Sequence, residues 1–232
     1  MDGKKIRLHS ELVYAAAILI LSFAVAMLSA ASFGVSMIVA PAYIISQRTG
    51  FLTFGQSEYI VQGVLFIVFC LLMKRVKASF FSSFVTCIIY GAVLDLWRAV
   101  VPMFNPNVTE PGSMSMPIRI VFFIVGVILT SFSVMLFFKT YLYPQVYDFF
   151  VKGVSAKYGI NRTKFKTCFD GSCLIVSCAL TLIFFKGFVG VGVGTLIMTV
   201  INGPLIGFFD KTFDKYFFVV PLARNFAKSF DI

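Results

Sequence analysis

The stretch LVYAAAILILSFAVAMLSAASFG, residues 12–34, decides the fold class of this chain. An α-helix rises ~1.5 Å per residue, so about 20 residues cross a bilayer core that is ~30 Å thick. The stretch has this length and contains no charged side chain. The basic residues before it also fit a signal peptide with a cleavage site near residues 30–31. Because its apolar part is too long for a usual signal peptide, we predict a transmembrane helix.

Five further apolar stretches follow, at residues 58–73, 79–101, 118–138, 169–185 and 188–209. Of the 232 residues, 59% are hydrophobic and only 13% are charged. Side chains of this composition cannot cover the core of a soluble domain with polar groups. We therefore predict an all-α polytopic membrane protein, a single transmembrane domain over residues 1–232 with six spans and the lipid bilayer as its partner.

Basic residues alternate between the loops and predict the orientation. They lie between spans two and three, between spans four and five, and after span six: Lys74, Arg75, Lys77, Lys152, Lys157, Arg162, Lys164, Lys166, Lys211, Lys215, Arg224 and Lys228. The loop 102–116 has neither Lys nor Arg. Since cytoplasmic loops carry the excess of Lys and Arg, we expect both termini to be cytoplasmic. The net charge of +10 then indicates an inner membrane surface and no nucleic-acid partner.

Two apolar segments are too short to be spans. They are residues 35–47, which contain Pro41, and residues 142–158, which contain Pro144. Each is predicted to form a short interfacial or re-entrant helix, with the proline in its first turn. The tail, residues 211–232, mixes Phe with Lys and Arg, and is predicted to be an amphipathic segment on the inner leaflet.

The two halves of the sequence resemble each other, with repeat one at about 11–101 and repeat two at about 117–210. SFAVAM at 22–27 echoes SFSVML at 131–136, and a proline and a tyrosine follow both runs. YGAVL at 90–94 stands opposite NGPLI at 202–206. Each repeat contains three spans, so the second half is inverted relative to the first, as in many secondary transporters.

Polar side chains inside the spans are the candidate solute site, because ionisable groups are costly in a bilayer. Glu58 and Gln62 share one face of span two, and Asp95 and Arg98 share one face of span three. Asn202 lies inside span six. One interpretation is a polar pocket that binds a cation, a proton or a polar solute, with Arg98 as counter-ion. The other is a static ion pair that joins spans two and three.

Glycine, proline and one aspartate predict helix ends and close contacts. The predicted packing and break positions are Pro41, Gly91, Pro144, Gly194, Gly203 and Pro204. The glycine run 187–195 lacks the Lys-Ser/Thr ending of a phosphate-binding loop, so Gly190 with Gly194, and Gly203 with Gly207, are interpreted as close-packing faces. Gly203–Pro204 could alternatively break the sixth helix. Asp170 is expected at the N-terminus of span five, beside the positive end of the helix dipole, and the alternative role is a proton relay.

Several short motifs occur in a fixed order over about residues 23–210: FGVS at 33–36 with Pro41, FG at 54–55, Glu58 through Gln62, Tyr90 through Asp95, GVGT at 192–195, and Gly203 with Pro204. This order resembles the bacterial YczE/YyaS/YitT-type membrane proteins. The resemblance implies a permease-like protein of the bacterial plasma (inner) membrane without catalytic residues. Ala42 and Tyr43 replace the polar pair of many relatives, which leaves the ligand preference open.

Three functions fit these features: a permease for a small solute, a solute-binding subunit that needs a partner membrane subunit, and a scaffold or regulator of other membrane proteins. A homo-oligomer is compatible with each. An enzyme is not expected, because the spans contain no histidine and show no nucleophile–base pair. The cysteine spacing predicts neither a metal site nor a cofactor.

Overall fold

The computed structural model describes residues 5–74, 76–77, 80–110 and 112–223. Six of its helices are long and apolar enough to cross a membrane, which confirms the predicted all-α polytopic fold. They are α1 (Ser10–Ala31), α3 (Phe54–Met73), α4 (Phe81–Val100), α5 (Met116–Lys139), α7 (Arg162–Phe185) and α8 (Val193–Tyr216). The shorter elements are α2 (Ala40–Thr49), α6 (Val146–Tyr158), a 3-10 turn (Pro102–Phe104) and the strands β1 (Ile6–His9) and β2 (Phe217–Val220).

Three of the spans begin four or more residues away from the predicted position, because side chains and glycines set the helix ends. Thr53 and Gln56 form a reciprocal capping box, so α3 begins at Phe54 rather than at residue 58. Asn161 accepts a hydrogen bond from the backbone N–H of Lys164, so α7 begins at Arg162 rather than at residue 169. The glycine-rich stretch before residue 193 forms a loop, and α8 therefore begins five residues later than predicted.

Both termini of the described chain lie on the same face of the helical bundle. Strand β1 pairs in parallel with β2, with Ile6 opposite Phe217 and His9 opposite Val220. We call this the terminal face and the opposite one the distal face. The pairing agrees with an even number of spans.

The predicted amphipathic tail differs from the observed structure. Helix α8 continues to Tyr216, and β2 follows at once, so residues 211–220 prolong a span and then pair with the N-terminal strand. Pairing with β1 satisfies backbone groups of β2 that a separate surface segment would leave to water. The predicted tail residues 224–232 and Arg75 lie outside the described part of the chain.

Helix α1 is the central element of the bundle and packs against both α4 and α5. Its small residues Ala17, Ala24 and Ala26 are fully buried, which lets neighbouring helices approach closely. On the facing side of α5, a Cβ at Gly126 would collide with Leu28 of α1. Close packing at this seam therefore depends on small side chains on both helices.

Helix α6 begins inside the bundle, as expected for a re-entrant helix rather than an interfacial one. The first backbone N–H of α6, at Val146, donates to the side chain of Gln62, which lies halfway along α3. At the other end of α6, Lys157 donates to the backbone carbonyls of Leu72 and Met73 at the end of α3. Helix α6 therefore runs from the middle of the bundle to the terminal face. Pro144 precedes α6 by two residues instead of lying in its first turn, whereas Pro41 does lie in the first turn of α2.

Packing between the two halves is reciprocal. Helix α2 packs against α7, and α6 packs against α3. Within the halves, α1 packs against α4 and α5 packs against α8.

The last two helices of each half, α3 with α4 and α7 with α8, differ in how closely they pack. Helices α3 and α4 touch at Gly91, where a Cβ would collide with the Gly55 carbonyl. Between α7 and α8 no extensive contact occurs within the described ranges, and a Cβ at Gly171, Gly203 or Gly207 would meet nothing within 4 Å.

Two predictions for the sixth span are therefore wrong. Gly203 and Gly207 do not form a close-packing face, because their side of α8 faces open space. Pro204 does not break the helix, which is continuous from Val193 to Tyr216. Pro204 has no N–H, so the carbonyl of Val200 lacks its usual helical donor while the helix continues past it.

Candidate functional site

A cavity of about 700 Å³ lies between the two halves of the bundle. Helices α1 and α4 and residues 36–39 contribute to its wall from the first half, and α5, α6, α7 and α8 contribute from the second. The start of α6, with Pro144, Gln145 and Tyr147, forms part of that wall. The cavity is mostly apolar with a small number of polar groups, as is common for small-molecule sites.

A buried hydrogen-bond network links α3 to the start of α6 and holds this part of the cavity wall in place. The backbone N–H of Val146 donates to Gln62 Oε1 over 3.0 Å, which fixes the orientation of the Gln62 amide. Gln62 Nε2 then donates to Glu58 Oε2 (2.9 Å) and to Gln145 Oε1 (3.1 Å). The Tyr147 hydroxyl donates to the same Glu58 oxygen over 3.1 Å. Glu58 and Gln62 are fully buried, so the network holds the re-entrant α6 against α3.

The network leaves one amide free to face the cavity. Because Gln145 Oε1 accepts from Gln62, its Nε2 carries both remaining N–H donors, and this atom is buried without a partner. The hydroxyls of Tyr90 and Thr130, which also line the cavity, are likewise buried and unpartnered. Buried polar atoms are nearly always hydrogen-bonded in proteins. Three unpartnered groups around one cavity are therefore features of a ligand site.

Charged residues line another part of the cavity. Lys166 Nζ lies 3.1 Å from Asp148 Oδ1 and 3.7 Å from Asp170 Oδ1. These three are the charged residues among the lining side chains of the described chain. They sit in the first turn of α6 and the first half of α7, the half nearer the terminal face.

On the distal side, backbone contacts between the loops before α2 and before α8 close the bundle. The Val35 N–H donates to the Gly190 carbonyl (3.0 Å), and the Gly194 N–H donates to the Phe33 carbonyl (2.8 Å). The Thr195 hydroxyl donates to the Val35 carbonyl (2.8 Å). We call residues 33–35 with 190–195 the distal seal. A Cβ at Gly194 would lie 2.7 Å from the Phe33 carbonyl oxygen, so the seal requires glycine there.

Comparison with protein families gives one match, to a family of unknown function, over residues 8–211. The chain belongs to the DUF6198 family. The matched region contains the first five spans, the sixth as far as residue 211, and every cavity-lining residue named above. Comparisons with curated proteins and with solved structures found no match. For this DUF6198 protein the finer resemblance to the YczE/YyaS/YitT-type proteins stays a prediction.

Of the five residues predicted to bind the solute, one lines the cavity of this DUF6198 protein; Pro144 and Gly203, predicted as packing or break positions, also line it. Asn202 lines the wall, and its Oδ1 accepts a hydrogen bond from the Ser131 hydroxyl. Glu58 and Gln62 do not line it but lie one hydrogen bond behind, through Tyr147 and Gln145.

Asp95 and Arg98 lie away from the cavity, near the distal end of α3. Asp95 accepts hydrogen bonds from the Thr53 hydroxyl (2.5 Å) and the Gly55 N–H (2.9 Å), so it stabilises the start of α3. Arg98 is buried, with its guanidinium 5.4 Å from the centre of the Phe54 ring. In the described structure no carboxylate lies within ion-pair distance of Arg98. Neither the predicted single pocket nor the predicted ion pair of spans two and three forms.

Asp170 was expected at a helix N-terminus and is not found there. Because α7 begins at Arg162, Asp170 lies in its third turn, where it lines the cavity and pairs with Lys166. The predicted start of span five is seven residues too late. The span was predicted from its apolar residues, and the first turns of α7 are basic.

Sequence reasoning missed the groups that distinguish the cavity: Tyr90, Thr130, Gln145, Asp148 and Lys166. Tyr90 did stand opposite Asn202 in the repeat, and both line the cavity. That correspondence was the available signal, because the two inverted halves would place such positions on either side of one axis. Gln145 and Thr130 carry no signal that distinguishes them from other polar residues near helix ends.

Proposed function

We propose that this protein is a permease that moves a small solute across the bacterial plasma membrane by alternating access, and that it catalyses no chemical conversion. The solute binds in the cavity between two inverted halves. The observation that carries the proposal is the cavity itself: elements of both halves line it, and it presents buried polar groups that have no partner within the protein.

The inverted arrangement is supported by the order and packing of the helices. Each half consists of a long helix, a short helix that begins inside the bundle, and two more long helices. The short helix of each half packs against the third helix of the other half. Both short helices end at a glycine with positive φ, Gly50 and Gly159, whose N–H bonds back to a serine carbonyl.

Alternating access is supported by the difference between the halves. Helices α3 and α4 are in contact, α7 and α8 are apart, and the distal seal is closed. This conformation suits a cavity that opens toward the terminal face. In the opposite conformation α7 and α8 would close, with Gly203 taking the role that Gly91 has between α3 and α4, and the distal seal would open.

The basic residues support cytoplasmic termini. Tyr14 near the start of α1 pairs with Thr86 near the start of α4, which places the loop with Lys74 on the terminal face. Lys157 lies on the same face beside Met73. A concentration of lysines on one face is typical of the cytoplasmic side.

The two alternative functions have less support. A partner subunit would dock on the small residues of span one, which are Ala15, Ala16, Ala17, Ala24 and Ala26. Ala17, Ala24 and Ala26 are buried inside this chain, and Ala15 and Ala16 alone of the five are accessible. A scaffold predicts that all intramembrane polar groups are paired, whereas Tyr90, Thr130 and Gln145 each retain an unpartnered atom at the cavity.

Site-directed labelling tests the proposal without knowledge of the solute. Thr199 lines the cavity from α8. In a variant in which the five native cysteines are replaced, Thr199→Cys is exposed to a membrane-impermeant maleimide from either face of oriented vesicles. We expect modification from the terminal face and little from the distal face.

A matched pair of glycine substitutions in α8 controls this experiment. Gly194→Val places a side chain against the Phe33 carbonyl and opens the distal seal, so labelling from the distal face should rise severalfold. Gly207→Ala adds a methyl group to α8 outside the cavity lining, where nothing lies within 4 Å, and should change nothing. A cysteine at residue 199 that reacts from neither face, or equally from both in the unmodified background, contradicts the proposal.

A further inference from the structure

We infer that the solute is a small monocationic amine with an apolar body and a neutral hydrogen-bond acceptor, such as an amide or hydroxyl oxygen. The inference rests on the proposed function and adds the chemical class of the solute. It derives from three properties of the cavity wall: its net charge, its unpartnered donors and its apolar surface.

The charge of the lining favours a cation. Asp148 and Asp170 face a single lysine, Lys166, so the described lining carries one excess negative charge. Lys166 lies at hydrogen-bond distance from Asp148 but 3.7 Å from Asp170. Asp170 Oδ1 is buried and accepts no hydrogen bond. An uncompensated charge within a membrane is costly, and an ammonium group beside Asp170 would neutralise it and donate the missing hydrogen bond.

The unpartnered groups favour a neutral acceptor on the same solute. Gln145 Nε2 can only donate, and its orientation is set by Gln62, so its ligand must offer an acceptor. The Tyr90 hydroxyl is fully buried and also able to donate. Lys166, the lining cation of the described chain, already faces the carboxylates of Asp148 and Asp170. A carboxylate on the solute would compete with them for this one cation, whereas a carbonyl or hydroxyl oxygen needs no opposite charge.

The rest of the wall favours an apolar body. Val25, Ile38, Val134 and Met198 also line the cavity. A solute whose apolar body contacts these side chains gains from removal of both surfaces from water. A primary amine that carries a branched aliphatic group and an amide oxygen meets all three requirements.

Four compounds with the same aliphatic body separate the requirements. L-Leucinamide has the cation and the neutral acceptor, isopentylamine lacks the acceptor, L-leucine replaces it with a carboxylate, and N-acetyl-L-leucinamide lacks the cation. Binding to the purified full-length protein is measured by thermal shift and titration calorimetry. We expect L-leucinamide to bind best, isopentylamine about tenfold more weakly, and the other two not to bind.

Isosteric variants assign the contacts. Tyr90→Phe and Thr130→Val remove hydroxyls that have no partner in the ligand-free protein. They should therefore leave the melting temperature unchanged while reducing the tenfold preference for L-leucinamide over isopentylamine. Asp170→Asn should weaken both amines by about tenfold or more. Asp214→Asn, at a carboxylate outside the cavity that pairs with Lys139, is the matched control and should change neither affinity.

The outcomes separate this inference from the function on which it rests. Equal binding of N-acetyl-L-leucinamide overturns the requirement for a cation, and equal binding of L-leucine overturns the requirement for a neutral acceptor. If none of the four binds while Thr199→Cys is labelled from the terminal face as expected, the solute class is wrong and the permease proposal stands. If the labelling fails as well, both fall.

Discussion

Gln62 is a single residue on which the geometry of the cavity wall depends. Its amide accepts from the Val146 N–H and donates to Glu58 and Gln145. Gln62→Leu would leave the Val146 N–H and Gln145 Oε1 buried without partners. Because hydrogen bonds inside membrane proteins contribute about 0.6 kcal/mol each on average, and buried unpaired groups cost more, we expect a loss of about 2 kcal/mol. Unfolding of the purified protein in detergent measures it.

Glu58→Gln is the comparison for that variant. The new amide oxygen can accept from both Gln62 and Tyr147, and its nitrogen replaces an oxygen that has no hydrogen-bond partner. We therefore expect a change in the free energy of unfolding of less than about 1 kcal/mol. A larger loss in Glu58→Gln than in Gln62→Leu would show that the charge, not the amide geometry, stabilises the network.

Asp95 is predicted to act in stability and not in solute binding. Asp95→Asn keeps one acceptor oxygen but loses the charge at the N-terminus of α3, where the Thr53 hydroxyl and Gly55 N–H donate to it. We expect a loss of about 1 kcal/mol in the free energy of unfolding. The affinity for L-leucinamide should be unchanged, since Asp95 does not line the cavity. A changed affinity with unchanged stability would contradict this assignment.

At the scale of elements, the two helix pairs that complete the halves predict opposite responses to the same substitution. Gly91→Ala pushes a methyl group into the Gly55 carbonyl and should destabilise the α3–α4 contact by several kcal/mol. Gly203→Ala in α8 meets no atom and should be neutral or stabilise the helix by up to about 1 kcal/mol. Unfolding measurements on the two variants test this directly. Similar losses in both would mean that α7 and α8 are packed together in the membrane.

At the scale of the whole molecule, Glu11 joins the two ends of the chain. Its carboxylate accepts from the backbone N–H groups of Leu222 and Ala223 and from the Tyr141 hydroxyl. Burial and the Glu11 carboxylate raise the pKa of Tyr141 to about 12, so this hydroxyl stays a donor at physiological pH.

Glu11→Gln should loosen the C-terminal strand without unfolding the bundle. The amide cannot accept as many hydrogen bonds as the carboxylate, and we expect hydrogen exchange of the backbone amides at Leu222 and Ala223 to accelerate by about tenfold. Exchange mass spectrometry measures this, with Glu110→Gln in the exposed distal loop as control. Unchanged exchange at these two amides would exclude Glu11 as the tie.

The sequence by itself determined that the chain folds in a lipid bilayer and that it has six spans. A stretch such as residues 12–34 must satisfy its backbone within a helix wherever it lies in lipid, so hydrophobic length alone predicts the span. Pro41 marked a short helix for a similarly local reason, since its ring fixes φ and its missing N–H is tolerated in a first turn.

Only the tertiary structure decided where polar groups meet. Glu58 and Gln62 share a helical face, which was predictable, but their partners Gln145 and Tyr147 come from a re-entrant helix more than 80 residues away. Asp95 and Arg98 also share one face of a helix, and yet they lie outside the cavity. Spacing along one helix fixes which side chains share a face, whereas the packing of other helices against that face determines whether it seals, caps or lines a site.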